Sequence, residues 1–442
     1  MSTENPRLDF VHRKGHQLIL DGKVFRFAGP NIYWLGLDEN VGGVNYPTQF
    51  RIENILDTAV EMGATALRSH TLAASHGHPK SIEPELGVFN EESLRKVDFV
   101  MKSIADRNLK VLIPLVDNWN YYHGGRETFI KWRGLTDIND FYINRKVIDD
   151  FKEYISQILN RVNTYTGIAY KDDPTVLAWE VGNELVDAPL EWVEEIVNFI
   201  KSIDTNHLVA YGNRFGLDKE KMTIENLDIL DAHYYPVDYE KLNKDANSTK
   251  RENKVFIAGE FGWPEGDLDR FLDAAVNNKG VSGTFYWSLF GHNDDCGYVQ
   301  HYDSFSLHYP GDFTNKERFS RIQSLRKHGF DMSGKDIAKH SVPKAPIITE
   351  ITGSIKWRGV VGAACYTIEK SMNGECGPWK VVCEKNVSDD HSIWIDSERD
   401  QMKEAWYRIK AYNLSGVEGP YSEIYHSFPM FQRSGINTFK VI

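Results

Sequence analysis

Short apolar runs rich in β-branched residues alternate with longer stretches whose apolar positions recur at helical spacing, through about residue 335. Eight runs read as strands: residues 24–28, 66–68, 111–115, 176–181, 208–211, 229–232, 255–258 and 284–287. Residues 50–62, 92–107, 141–163 and 190–202 carry the clearest helical patterns between them. Eight strands separated by helices predict an α/β fold closed as a (β/α)8 TIM barrel rather than an open sheet. Ahead of them, Gln17-Leu18-Ile19-Leu20-Asp21-Gly22-Lys23-Val24-Phe25 places Asp-Gly between two alternating segments and predicts a hairpin, expected to plug the closed end of the barrel.

After Ser341-Val342-Pro343-Lys344-Ala345-Pro346 the pattern changes to period-two alternation without a helix, as in Ala405-Trp406-Tyr407-Arg408-Ile409-Lys410-Ala411-Tyr412-Asn413. That texture predicts a small all-β sandwich. The expected domains are therefore residues 1–340, a catalytic barrel with its hairpin, and residues 341–442. The Ala405 to Asn413 run, followed by Gly416 and Pro420-Tyr421-Ser422, resembles a fibronectin type III domain, which implies a module that packs or spaces.

A formal charge of −12 argues against nucleic acid or an anionic membrane as partner, because both call for a basic surface. No apolar stretch reaches the roughly 18 residues of a membrane span, and Met1 to Pro6 lacks the features of a signal peptide, so a cytoplasmic location is expected. The cysteines Cys296, Cys365, Cys376 and Cys383 form no CxxC pair and read as free thiols. Sequons at Asn247, Asn386 and Asn413 would matter only in a secreted protein. The 11 tryptophans exceed what packing requires and suit sugar stacking.

The chemistry lies in two glutamates. Trp179-Glu180-Val181-Gly182-Asn183-Glu184 and Ile257-Ala258-Gly259-Glu260-Phe261-Gly262 each put a carboxylate just past an apolar strand. Strands of a parallel barrel end at one common mouth, so such carboxylates can meet across a sugar. Glycoside cleavage commonly needs one carboxyl as acid and a second ionised. The spacing of His70, His76 and His78 matches no zinc motif, so no metal is expected, and because two carboxylates suffice, no cofactor either.

Residues of about 10 to 330 resemble glycoside hydrolase family 5, in which the acid/base follows the fourth strand and the nucleophile the seventh; Glu184 and Glu260 hold those places. The resemblance implies that Arg68 holds the nucleophile ionised and that Asn183 contacts the sugar 2-hydroxyl. It also implies that His233 positions the acid/base, Tyr235 touches the nucleophile and Trp287 forms a floor under the sugar. The run Asp117-Asn118-Trp119-Asn120-Tyr121-Tyr122-His123-Gly124-Gly125-Arg126 resembles the mannan-active branch, implying sugar contacts at Asn118, Trp119 and Trp34, with Trp263 a further candidate beyond the nucleophile. Two departures bear on the leaving group: Leu185-Val186 stands where relatives carry Pro-Arg, and Gly212-Asn213-Arg214-Phe215-Gly216 where many carry a Gly-Glu-Gly-like run.

The expected activity is retaining hydrolysis of β-1,4-mannosidic bonds, with carboxyl groups about 5 to 5.5 Å apart and repulsion from ionised Glu260 raising Glu184. The reading leans to an exo-type β-mannosidase on mannooligosaccharides, with possible transglycosylation. The alternatives are an endo-β-1,4-mannanase and, from another class, a non-catalytic carbohydrate-binding protein.

Overall fold

The computed structural model describes residues 9–214, 216–311, 313–351, 354–391, 393–400 and 402–429. The chain divides into two compact units: Met1–Leu289, His301–Leu307 and Ser320–Ala338 in one, and Phe290–Gln300, His308–Phe319 and Lys339–Ile442 in the other.

The first unit starts with three short antiparallel strands, β1 (His12–Lys14), β2 (Gln17–Leu20) and β3 (Lys23–Phe25). Between β2 and β3, Asp21 and Gly22 both take positive φ (51° and 73°), as a type I′ hairpin turn requires. The parallel strands follow: β4 (Phe27–Pro30), β5 (Ala66–Arg68), β6 (Lys110–Pro114), β7 (Val176–Glu180), β8 (Leu208–Asn213), β9 (Ile229–Tyr234), β10 (Val255–Gly262) and β11 (Val281–Trp287). They pair in the order β4-β11-β10-β9-β8-β7-β6-β5. At the seam between β4 and β5 a parallel bridge joins Asn31 to Arg68, and the Ile32 N–H donates to the Arg68 carbonyl at 2.9 Å. The (β/α)8 expectation holds.

Around the strands lie α1 (Gln49–Glu61), α2 (Glu91–Ala105), α3 (Arg126–Trp132), α4 (Asp140–Ile143), α5 (Arg145–Asn160), α6 (Leu190–Ile203), α7 (Tyr239–Arg251), α8 (Leu268–Asn277) and α9 (Lys316–Ser333). Two expected elements come out differently. Residues 24 and 25 belong to the hairpin, and the first barrel strand begins at Phe27; between them Arg26 turns out to donate to the carbonyls of Val281 (2.9 Å) and Val276 (3.0 Å). The helix expected over 141–163 breaks at Asn144, whose side chain accepts from the Lys146 N–H at 3.1 Å and starts α5 afresh.

At the N-terminal ends of the strands, Leu18 of the hairpin and Val11 share one apolar cluster with Phe27, Leu112, Leu208, Ile229, Val255 and Phe285, and Leu20 and Phe25 pack against it. The hairpin is thus the floor of the barrel, which leaves the C-terminal strand ends as the open mouth. Among the described residues no helix is long and apolar enough to cross a membrane.

The second unit contains two antiparallel sheets. One is β12 (Ile347–Ile351), β13 (Ile355–Arg358) and β16 (Ile393–Trp394); the other is β14 (Ala363–Ser371), β15 (Lys380–Val387), β17 (Ala405–Asn413), β18 (Glu418–Tyr421) and β19 (Tyr425–Ser427). Ile351, Ile355 and Trp357 from the first meet Tyr366, Ile368, Tyr407 and Ile409 from the second in one core. Alternation puts every second residue of β17 into it, which is why that run read as a strand.

The seam tolerates no side chain at Gly29, where a Cβ would stand 1.8 Å from the Ala66 carbonyl oxygen. Gly29→Ala is expected to lower the unfolding free energy by roughly 3 kcal/mol, the upper range for overpacking. Urea denaturation checks this, and an unchanged midpoint would contradict the seam geometry.

Candidate active site

The C-terminal strand ends surround a cavity of about 870 Å³ whose lining includes Glu184 and Glu260. Each is set by local backbone. Beyond β7 the chain keeps pairing with the loop after β6, the Asn183 N–H donating to the Val116 carbonyl (2.8 Å) and the Asn118 N–H to that of Asn183 (3.0 Å). Glu184 then takes φ 52°, a left-handed conformation that costs a non-glycine residue about 1 kcal/mol or more. Glu260 follows a register shift in β10. At that shift the Gly259 N–H donates to Asp231 at 2.5 Å, an approach that any Cβ would block.

One guanidinium organises the floor of the site. Arg68, fully buried at the end of β5, donates to Glu180 (2.9 Å), Glu260 (2.8 Å), the Asn183 side-chain carbonyl (2.8 Å) and that of Asn31 (3.1 Å). Burial opposes its charge, but Glu180, Glu260 and Asp231 outweigh that and hold it protonated. Glu260 receives a second hydrogen bond from the Tyr235 hydroxyl at 2.9 Å. Glu184 accepts from the Trp119 indole N–H at 2.6 Å and faces His233 Nδ1 at 2.9 Å.

His233 stands between the two glutamates, its Nδ1 also 3.6 Å from Glu260. Burial would discharge the imidazole, but Glu260, Asp231 and Glu184 around it push its pKa well above the ordinary value. Burial likewise favours a neutral Glu184, yet the hydrogen bond and charge of His233, then Trp119 and Arg214, hold that carboxyl below its usual range. Glu260 is raised by burial against the opposing charges of His233 and Arg68. These directions correct the expectation that repulsion raises Glu184. An imidazolium between the carboxylates takes the proton that two adjacent carboxylates would otherwise share.

Burial also pushes two further carboxyls on this floor up to about 8, Glu180 against the pull of Arg68 and Asp117 against the Trp119 N–H. Glu184, His233 and Glu260 each offer a donor atom, all within 4.8 Å of one another, a set that could hold a metal ion. Arg68 and the charged His233 already neutralise those carboxylates, so a cation there would have to displace them.

Of the residues singled out in the sequence, Arg68, Asn183, His233, Tyr235 and Trp119 gather within hydrogen-bonding reach of the two glutamates or of one another, and Trp287 lines the same cavity. Three others do not line it. Trp34 is fully buried with its indole N–H on the Leu289 carbonyl (3.2 Å), and Trp263 is fully buried with its own on that of Phe305 (2.6 Å). Asn118 turns its side-chain oxygen to the Val186 N–H (3.2 Å). The neighbours Tyr33 and Asp117 take the cavity positions instead, together with His70, His123, Glu39, His301 and Asp303. Asp117 and His123 lie inside the quoted run that ends at Arg126, His70 two places past Arg68, Tyr33 beside Trp34, and Glu39, His301 and Asp303 in loops without pattern, so only the direction of each side chain reveals it. Phe215 lies outside the described residues.

A family model described as "GH family 5 beta-mannosidase-like" matches residues 8–257, more than half of the chain, and the chain belongs to that family. A putative mannan endo-1,4-beta-mannosidase 4 of Arabidopsis thaliana is 34% identical over 220 residues, 47% of this chain and 52% of that relative. The chain spans about half the length of the curated relatives it matches first. Among solved structures, the endo-1,4-beta-mannanase of Rhizomucor miehei is similar with a TM-score of 0.62 and 25% identity, over 74% of this chain and 100% of that one. A family 5 mannosidase from Rhizomucor miehei, 21% identical with a TM-score of 0.60 over 74% of this chain and 98% of that one, shares the fold.

Removing the imidazolium leaves burial as the larger influence on Glu184. In His233→Gln the Glu184 carboxyl should therefore titrate above its wild-type value, as followed by carbon-13 NMR of labelled glutamate. A value unchanged or lower would show that His233 does not hold it ionised.

Proposed function

We propose that this chain is a retaining glycoside hydrolase that removes mannose from the ends of β-1,4-linked mannooligosaccharides. The observation that carries the mechanism is the separation of the carboxylates: an oxygen of Glu184 and one of Glu260 lie within 4.8 Å. That spacing suits direct attack at about 5 to 5.5 Å between carboxyl groups, and leaves no room for the water that inverting enzymes hold across roughly 6.5 to 9.5 Å.

In the first step Glu260, oriented by Arg68 and Tyr235, attacks the anomeric carbon while Glu184 gives a proton to the leaving oxygen. The proton comes from the 2.9 Å contact between His233 Nδ1 and Glu184. As sugar displaces water from the cavity, separated charges become costlier and the neutral form of that pair, with the proton on Glu184, gains. In the second step Glu184 takes a proton from water, which releases the sugar from Glu260. A sugar hydroxyl in place of that water gives transglycosylation.

A strap across one side of the mouth supports cutting at chain ends. His301 Nδ1 lies 2.8 Å from the Asn40 side-chain oxygen and 3.3 Å from the Tyr33 hydroxyl, tying the loop after β4 to the 301–307 segment. Asp38, within that loop, is held by a buried pair with Arg51 at 2.6 Å. The strap stands beside Trp287, whose indole N–H donates to Asp303 (3.1 Å) and whose ring stacks on Tyr33 at 5.2 Å. A chain threading past Trp287 would have to break these contacts. The second unit is read as a fibronectin type III-like spacer, on the strength of its two sheets and shared core.

On mannopentaose, mannose should be the first product, resolved by chromatography of early time points; early mannobiose and mannotriose would mean endo-acting cleavage. Glu260→Gln should lose at least about 10³-fold in kcat/KM on 4-nitrophenyl β-mannoside. Full retention would show that Glu260 is not the nucleophile, whereas a wild-type protein that binds mannooligosaccharides without turning over any mannoside would have a carbohydrate-binding role alone. The pH profile should be bell-shaped, with an acid limb as Glu260 gains a proton and an alkaline limb as the Glu184–His233 pair loses its own. Because His233 is raised, the alkaline limb should move to lower pH in His233→Gln.

A further inference from the structure

Around the ring, β8 stands four strands from β4, so the loops after them face each other across the mouth. Their chemistry differs. On the β4 side the cavity presents Glu39 and Asp303; on the opposite side it presents Arg214, after β8, and Lys241, in the first turn of α7. Asp238 shares the cationic wall, but its carboxylate accepts from the Lys241 backbone N–H at 2.9 Å as the cap of α7.

Arg214 is joined to the chemistry by one intermediate. Its guanidinium lies over the Trp119 ring at 4.6 Å, and the Trp119 indole N–H reaches Glu184 at 2.6 Å. A guanidinium carries five N–H donors and no acceptor, so all it can offer a ligand is donation. Because Glu184 gives its proton to the departing oxygen, what lies beyond Glu184 meets the departing group. Of the residues just after Glu184, Leu185 is fully buried, and neither Val186 nor Asp187 lines the cavity.

We propose that Arg214 recognises the leaving group, donating hydrogen bonds to the hydroxyl oxygens of the sugar that Glu184 releases. This rests on the hydrolase reading above and adds the residue that selects an oligosaccharide over a simple mannoside. Lys241 places a second donor-only group on the same wall, and the acidic wall opposite stands on the side where Trp287 takes the sugar that becomes attached to Glu260. The charge asymmetry of the cavity thus orients the substrate.

The test compares kcat/KM on mannotriose, whose leaving group carries hydroxyls, with 2,2,2-trifluoroethyl β-mannoside, whose leaving alcohol is similarly acidic but carries no further hydroxyl. In Arg214→Gln the ratio of the two should fall by about 10-fold or more relative to wild type, the loss of a charge-assisted hydrogen bond. Arg214→Lys should recover part of it. Because both leaving groups are weakly acidic alcohols that need the proton from Glu184, any influence of Arg214 on that acid acts on both substrates and cancels in the ratio. An unchanged ratio in Arg214→Gln overturns the inference, whether both rates fall together or neither changes. A wild-type protein inactive on both mannosides overturns the hydrolase reading itself, and the inference with it.

Discussion

A single cation buried at the bottom of the mouth is the constraint on which the site depends. Arg68 has no exposed surface, and its guanidinium is shared among Glu180, Glu260, Asn183 and Asn31. These partners come from, or directly follow, β7, β10 and β4, so the cation ties the ends of four strands together. Breaking a buried pair on one side typically costs 3 to 5 kcal/mol, because the abandoned charge stays desolvated. The same cost makes the arrangement rigid, and rigidity lets the Glu260 carboxylate be aimed before any sugar arrives.

Above that floor, the placement of one proton decides what the site can do. The two glutamates are near enough to repel, yet a third titratable group lies between them, and its charge offsets that repulsion. In the proposed mechanism the acid's proton rests on a neighbouring imidazole at 2.9 Å, and its transfer to Glu184 depends on the exclusion of water.

Much of the fold was legible in advance because barrel strands are buried on both faces and read as short apolar runs, while the hairpin declares itself through Asp21-Gly22. The misplacements fell where one side chain overrides periodicity, at Arg26 and at Asn144. In the site, residues at strand ends were legible because strand position dictates where they point. Loop residues were not: Trp34 and Tyr33 are adjacent, and which one faces the cavity depends on the path of the loop. The Glu184 electrostatics were misjudged for a similar reason, since His233 was placed beside the acid/base but its contact with Glu260 appears only in three dimensions.

The central claim is that Glu260 forms a bond to the sugar while Glu184 serves as acid and base. Incubation with a 2-deoxy-2-fluoro-β-mannosyl fluoride, which slows the second step more than loading from a reactive leaving group, followed by peptide mass spectrometry, tests it most directly. The account predicts one added fluoromannosyl mass, on the peptide containing Glu260. A label on the Glu184 peptide, or turnover of mannosides with no covalent species under any trapping condition, would contradict it.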